Sequence, residues 1–300
     1  MRNSSQPGAA GFAFGVGSYT LWGVLPLYIH LLKEVPALQV LAHRVLWSLG
    51  LLLLLILVLR RVRTILAAAR GRTLLLLVGS ALMIGINWIV YIWAVQNGHV
   101  LEASLGYFIN PLVNVALGFA FLGERLRRLQ AAAIAVAAAG VLVLALSGGG
   151  ALWLSLLLAL SFGFYGLLRK VAAIDALGGL TVETLLLAPF SIALLFHASQ
   201  GGTNAFGQST HLDLLLALAG VVTALPLLLF AAAARRLPLA TLGLLQYIAP
   251  SLQFAEAVLL FGEPVRTVHI ATFALIWSGC ALYAFDTIRA ARASSPPLQG

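Results

Sequence analysis

The sequence predicts an all-α integral membrane protein of ten transmembrane helices, arranged as two inverted five-helix repeats. Three observations carry this. Hydrophobic residues make up 61% of the chain and charged residues only 9%, against roughly 25% charged in soluble domains. Apolar runs such as Leu51–Leu59 and Leu74–Val78 are continuous, where a transmembrane barrel would alternate apolar and polar positions. Short motifs of the first half also return, in order, in the second.

At roughly 20 residues per span plus short loops, the 300 residues hold about ten helices. The spans are 11–32, 38–59, 73–97, 101–122, 130–147, 151–168, 179–198, 212–234, 238–261 and 267–288. Ten spans put both termini on one side. Fifteen of the eighteen Lys and Arg residues then fall on that side, in the two tails and the loops at 60–72, 125–128, 169–170 and 235–236. Only Lys33 and Arg266 lie opposite, and Arg44 lies within span two. The positive-inside rule places both termini in the cytoplasm. The net charge of +9 is divided among short loops without a nucleic-acid-binding motif, so no nucleic-acid partner is expected. The apolar run after the polar start MRNSSQPGAA is long enough to span and reads as an uncleaved first helix. The lone Cys280 has no partner for an intramolecular disulfide.

The repeat appears in four places. Ser18-Tyr19-Thr20-Leu21-Trp22-Gly23 in span one is echoed by Ser161-Phe162-Gly163-Phe164-Tyr165-Gly166 in span six. Asn110-Pro111 and Leu122-Gly123-Glu124 return as Ala249-Pro250 and Phe261-Gly262-Glu263. This second correspondence aligns Tyr107 with Gln246 and Asn114 with Gln253. The units are 1–147 and 148–300. Five is odd, so the second unit enters the membrane upside down, a signature of secondary transporters with a site between the halves.

Polar groups inside the spans are the candidate site, since they are costly in hydrocarbon unless they face protein or water. Tyr107, Asn110 and Asn114 fall at i, i+3 and i+7, on one helical face, with Pro111 positioned to bend the helix. Span one offers Tyr19, Trp22 and Pro26, and span six offers Ser161 and Tyr165 at matching positions. Span three offers Asn87, Trp88 and Tyr91, where Asn87 is either a substrate contact or an interhelical hydrogen bond. Span nine offers Gln246, Gln253 and Glu256. Glu256 is either a protonated, satisfied acid or a proton carrier or counter-charge. His43 and Arg44 lie one turn into span two. Arg44 either snorkels, pairs with Glu34, Glu102 or Glu183, gates the outer mouth, or binds a substrate carboxylate; gating or pairing is favoured, with Glu102 the better-placed partner. The six histidines fall near the outer side without the spacing of a metal pair. Small residues at Gly11, Gly15 and 131–140 invite close helix contact, and span five reads as scaffold alongside span ten. No nucleophile–base pair, metal signature or nucleotide motif is present, so neither a catalytic centre nor a cofactor is expected. The sequence sets no oligomeric state, and a monomer is compatible with it.

LEASLGYFINPLVN followed by LGERLRRLQ, with HRVLWS (43–48) and TLGLLQYIAP (241–250), resembles the RarD-type permeases. These are labelled chloramphenicol-sensitive proteins and form part of the EamA branch of the drug/metabolite transporter superfamily. The resemblance covers about residues 11–290. It implies ten helices in two EamA repeats, a bacterial inner-membrane location, and import or export of small metabolites. It also implies a central cavity lined by helices one, three, four, six, eight and nine. Aromatic rings would hold an apolar body and amides orient a polar end, which suits amino acids or amphipathic drugs moved across the bilayer. A channel or an intramembrane enzyme is the alternative.

Overall fold

The computed structural model describes residues 7–123, 127–147, 151–234, 236–237 and 245–293. Among these residues there are helices and connecting turns and no strand. The helices are α1 (Pro7–Gly23), α2 (Leu25–Leu31), α3 (Ala37–Val58), α4 (Val62–Ala68), α5 (Gly71–Gln96), α6 (Val100–Leu122), α7 (Arg128–Leu146), α8 (Leu152–Val171), α9 (Ala176–Gln200), α10 (Thr210–Ala234), α11 (Ile248–Leu259) and α12 (Thr267–Ala293). Among the described residues eight segments, with α1 and α2 taken as one, are long and apolar enough to cross a membrane, and α6, taken as one bent span, makes a ninth. The remaining expected span, span nine at 238–261, begins outside the described residues, and its described helix is the 12-residue α11.

Local chemistry sets the breaks. The first span divides at Val24, because Pro26 stands in the opening turn of α2 and has no N–H to donate. α6 bends by 40° between Val100–Asn110 and Leu112–Leu122, at the position the sequence gives to proline. α9 starts where the Asp175 side chain accepts from the Gly178 N–H at 3.0 Å, a standard N-cap contact.

Packing then follows small residues. α7 lies along α12, with Ala133 and Ala137 buried and the Thr272 hydroxyl donating to the Gly140 carbonyl at 3.2 Å. Span five therefore does pack on span ten. α5 and α6 both pack on α8, α1 packs on α10 and α11, α3 on α9 and α10, and α6 on α11. At Gly106 a Cβ would stand 2.8 Å from the Ser155 carbonyl oxygen, so only glycine lets α6 and α8 approach this closely. Large apolar side chains such as Leu75, Leu146, Phe190 and Leu259 point outward and are exposed, as a lipid-facing belt requires.

The ends are tied by polar contacts. At the arginine-rich end, Arg61 pairs with Asp175 at 2.6 Å and Arg127 with Asp286 at 2.6 Å. At the opposite end, Gln96 donates to the Leu32 and Val35 carbonyls, both at 2.9 Å. Gln39 donates to the Thr203 carbonyl at 2.8 Å and accepts from the Ala205 N–H at 2.9 Å.

The first amides of α6 receive no side-chain cap from His99, the residue that precedes the helix. They are held by Glu263, whose two carboxylate oxygens accept from the N–H groups of Val100 and Leu101, each at 2.7 Å. Gly262, at φ +64°, turns the chain out of α11 in a backbone conformation that glycine adopts freely. Glu263→Gln replaces one acceptor with a donor facing an N–H. It should cost about 1–2 kcal/mol and speed hydrogen exchange at Val100 and Leu101 about tenfold. Unchanged protection at those two amides would refute the cap. The corresponding Glu124 of the first half lies outside the described residues.

Candidate functional site

Asn87, on α5, is the centre of the buried polar groups. It is 1% exposed, and the whole amide is used. Its Nδ2 donates to the Leu158 carbonyl and to the Ser161 hydroxyl, both at 3.1 Å, and its Oδ1 accepts from the Tyr107 hydroxyl at 3.0 Å. One side chain thus joins α5, α6 and α8. Tyr107 stands edge-on to Tyr91 (ring centroids 5.5 Å apart) and to Phe162 (6.0 Å). Asn87 and Tyr91, one turn apart on α5, and Tyr107 on α6 are therefore brought together, and Trp88 turns to the adjacent face.

That face holds Arg44 of α3. Its guanidinium lies 4.7 Å from the Trp88 ring centroid, within cation–π range, and its Nε donates to the Thr223 hydroxyl at 2.8 Å. His43 stacks on Phe206 at 5.3 Å. Glu102 does not reach Arg44; it faces His99 at 3.6 Å. Near Glu102 lie His269 and Glu263, so the end opposite the arginine-rich loops gathers two acids and two histidines. Burial pushes the Glu263 carboxyl above its ordinary range, against the pull of the two amides it caps.

On the other flank, Tyr19 and Trp22 meet edge-on at 5.5 Å, with Phe230 packed on both at 6.1 and 6.0 Å. Phe162 and Tyr165, their counterparts in the repeat, meet at 5.8 Å. Ser18 donates to the Pro226 carbonyl at 2.8 Å, whereas Ser161 accepts from Asn87 and donates to the Leu158 carbonyl at 3.2 Å. Gln253 donates to the Trp22 carbonyl at 3.0 Å. Gln246 lies in the turn before α11, half-buried. Asn110 and Glu256 are buried. Asn114, expected on the same face as Tyr107 and Asn110, is exposed.

Glu183 of α9, which the sequence offers only as a poor partner for Arg44, is fully buried at 0% exposed. It accepts from the Ser80 hydroxyl at 2.6 Å and the Tyr165 hydroxyl at 3.4 Å, and pairs with the Arg169 Nε at 3.5 Å. The only signal in the chain was an acid within a span, the criterion that singled out Glu256. Several buried polar atoms, by contrast, have no hydrogen-bond partner among the described residues. Those on predicted site residues are His43 Nε2, Arg44 Nη1, Tyr91 Oη, Asn110 Oδ1, Gln253 Oε1 and Glu256 Oε2, and others, such as Ser48 Oγ, Arg169 Nη1 and Tyr247 Oη, lie outside that set. Buried polar atoms are normally satisfied, so the six on predicted residues are groups with hydrogen-bonding capacity to spare. Among the described residues no cluster suited to a metal ion occurs.

Residues 9–146 match the EamA-like transporter family. An "uncharacterized transporter" of Vibrio cholerae is 45% identical over 98% of this chain and 98% of its own length. Protein RarD of Escherichia coli K12 is 44% identical over 95% of this chain and 97% of its own. The chain belongs to the RarD-type branch of the EamA-like transporter family. A "chloramphenicol-sensitive protein RarD" of Pseudomonas aeruginosa is 38% identical, covering 97% of this chain and 98% of its own. A protein of known crystal structure shares the fold at a TM-score of 0.60 and 18% identity, over 92% of this chain and 97% of that one. This RarD-type chain is thus a multi-pass helical membrane protein whose named relatives include transporters.

Proposed function

We propose that this RarD-type protein is a secondary transporter that moves a small amphipathic metabolite, such as an amino acid, or a drug, across the bacterial inner membrane by alternating access. Both termini would lie in the cytoplasm, as the charge distribution asks. The observation that carries the proposal is the convergence of buried polar groups from six helices, several with unused hydrogen-bonding capacity, inside an otherwise apolar bundle. A closed apolar scaffold would not leave these atoms unmet.

Two inverted repeats, 1–147 and 148–300, account for the packing. Exchanging each span with the one five places along turns the three–six pairing into eight–one and four–six into nine–one. Pairings two–seven, four–nine and five–ten map onto themselves. The recurring ring pairs Tyr19–Trp22 and Phe162–Tyr165 fit the same symmetry. Tyr19, Trp22, Trp88, Tyr91, Tyr107 and Tyr165 would hold the apolar body of the solute, and Asn87, Asn110, Asn114, Gln246 and Gln253 its polar end. Glu256 is the candidate for coupling, and the contacts of Gln39, Gln96 and Glu263 for closing one mouth. The name "chloramphenicol-sensitive" on a relative makes chloramphenicol one compound to try.

The test is uptake into proteoliposomes of a radiolabelled amino-acid panel and chloramphenicol, with and without an imposed pH gradient. Saturable uptake of at least one compound is expected, reduced at least tenfold by Asn110→Ala or Gln246→Ala in folded protein. If vesicles that demonstrably contain folded protein show no saturable flux, the carrier proposal fails.

A further inference from the structure

We infer that Arg44 is a substrate-binding residue that takes a carboxylate, so that the solute carried by this protein is an organic acid or zwitterion and not a neutral compound. The inference rests on the carrier function proposed above and deepens it by naming the charge the solute must bring.

Arg44 is 5% exposed and cannot shed its proton at any relevant pH. The described side chains placed against it include no acid. Trp88 presents a ring face, Thr223 a hydroxyl, and the phenols of Tyr28, Tyr91 and Tyr107 complete its electrostatic surroundings. Among the described residues no Asp or Glu lies within ion-pair distance of it. Burying a lone guanidinium is a large cost that proteins normally meet with a paired acid. The other deeply placed arginine here, Arg169, does have one in Glu183.

The way Arg44 is held also leaves the useful part of the guanidinium free. Trp88 covers one face and Thr223 occupies Nε, while Nη1 is buried without a partner. A planar fork with an unused end is the arrangement that receives a carboxylate through two parallel bonds. Within electrostatic range of Arg44 is the Tyr91 hydroxyl, on a residue 2% exposed and also without a partner, which could serve as a second donor to the same anion. Tyr107, whose hydroxyl is committed to Asn87, positions Tyr91 through its ring. Within electrostatic range of Tyr91 also lies Glu256, with Oε2 unmet. Arg44 does not satisfy it, since the two form no ion pair.

The experiment uses the full chain in lipid nanodiscs and proteoliposomes. Probes are matched pairs that differ only in the acid: phenylalanine and phenylalaninamide, leucine and leucinamide, 3-phenylpropionate and 3-phenylpropionamide, with chloramphenicol as a neutral reference. Binding is read by thermal shift and by inhibition of uptake. At least one acid should bind about 10- to 100-fold more tightly than its amide, the range expected for a charge-assisted hydrogen bond. Arg44→Gln should erase that preference, and Arg44→Lys, which keeps the charge but not the fork, should restore part of it. Because the charge is unpaired in the empty protein, ligand-free Arg44→Met should melt at least as high as the native chain. Equal binding of acids and amides, preference for chloramphenicol over every acid, or survival of the acid preference in Arg44→Gln would each overturn the inference while leaving the carrier standing. A marked fall in melting temperature for Arg44→Met would also overturn it, making Arg44 a structural element. Absence of saturable flux for every probe, charged or neutral, would remove the carrier and this inference together.

Discussion

Glu183→Ala should destabilise the protein by about 3–5 kcal/mol, the usual cost of removing one member of a buried ion pair. The carboxylate has no exposed surface and is shared by Ser80 of α5, Tyr165 of α8 and Arg169 at the end of α8. Without it, the Arg169 Nε, on a side chain only 14% exposed, loses its acid, and the guanidinium keeps the Asp175 carbonyl, met by Nη2. The Tyr165 hydroxyl loses its acceptor, and Ser80 is left with the Leu77 carbonyl. Arg169→Ala should be of similar severity for the opposite reason, since it strands the carboxylate. Removing both as Glu183→Leu with Arg169→Leu should cost clearly less than the two single losses added, with a coupling of about 1–3 kcal/mol. Unfolding followed in detergent at several denaturant concentrations measures all three. Additive losses would mean that the 3.5 Å contact is incidental and that desolvation of each group stands alone.

The same cluster shows where reading the chain stops. Ser80 and Glu183 are separated by 103 positions, and no local pattern relates them; only the docking of α5 on α9 brings them together. Glu102, which the sequence favoured as a partner for Arg44, instead meets His99 three residues before it. Membership of the membrane and the run of spans were legible because hydrocarbon demands long apolar segments whatever the neighbours do. The pairing of α7 with α12 was legible because alanine and glycine leave a helix few other ways to pack. Asn114 is exposed, which spacing alone does not reveal: equal spacing keeps residues on one line only in a straight helix, and α6 bends by 40° after Asn110. The short helix α4 (Val62–Ala68) inside the basic loop was not foreseen, since seven residues carry too little periodicity to separate a helix from a loop.

Asn87→Leu should be the most damaging single change for transport. The leucine is nearly isosteric, so the bundle keeps its volume, but three hydrogen bonds are lost and the Tyr107 hydroxyl is left without its acceptor. Each unmet group in this setting costs about 1–3 kcal/mol, and the tie among α5, α6 and α8 disappears with them. Uptake in proteoliposomes should fall at least tenfold. Asn87→Asp should do at least as badly, because a carboxylate oxygen would then face the Leu158 carbonyl where Nδ2 now donates at 3.1 Å. Tyr107→Phe should be much milder, at about 1 kcal/mol, since it strands only the Asn87 Oδ1 and leaves both donor bonds intact. The order tells position from chemistry. If Tyr107→Phe abolished uptake while Asn87→Leu preserved it, the tyrosine hydroxyl would serve the solute directly, and Asn87 would hold the helices together without touching what passes between them.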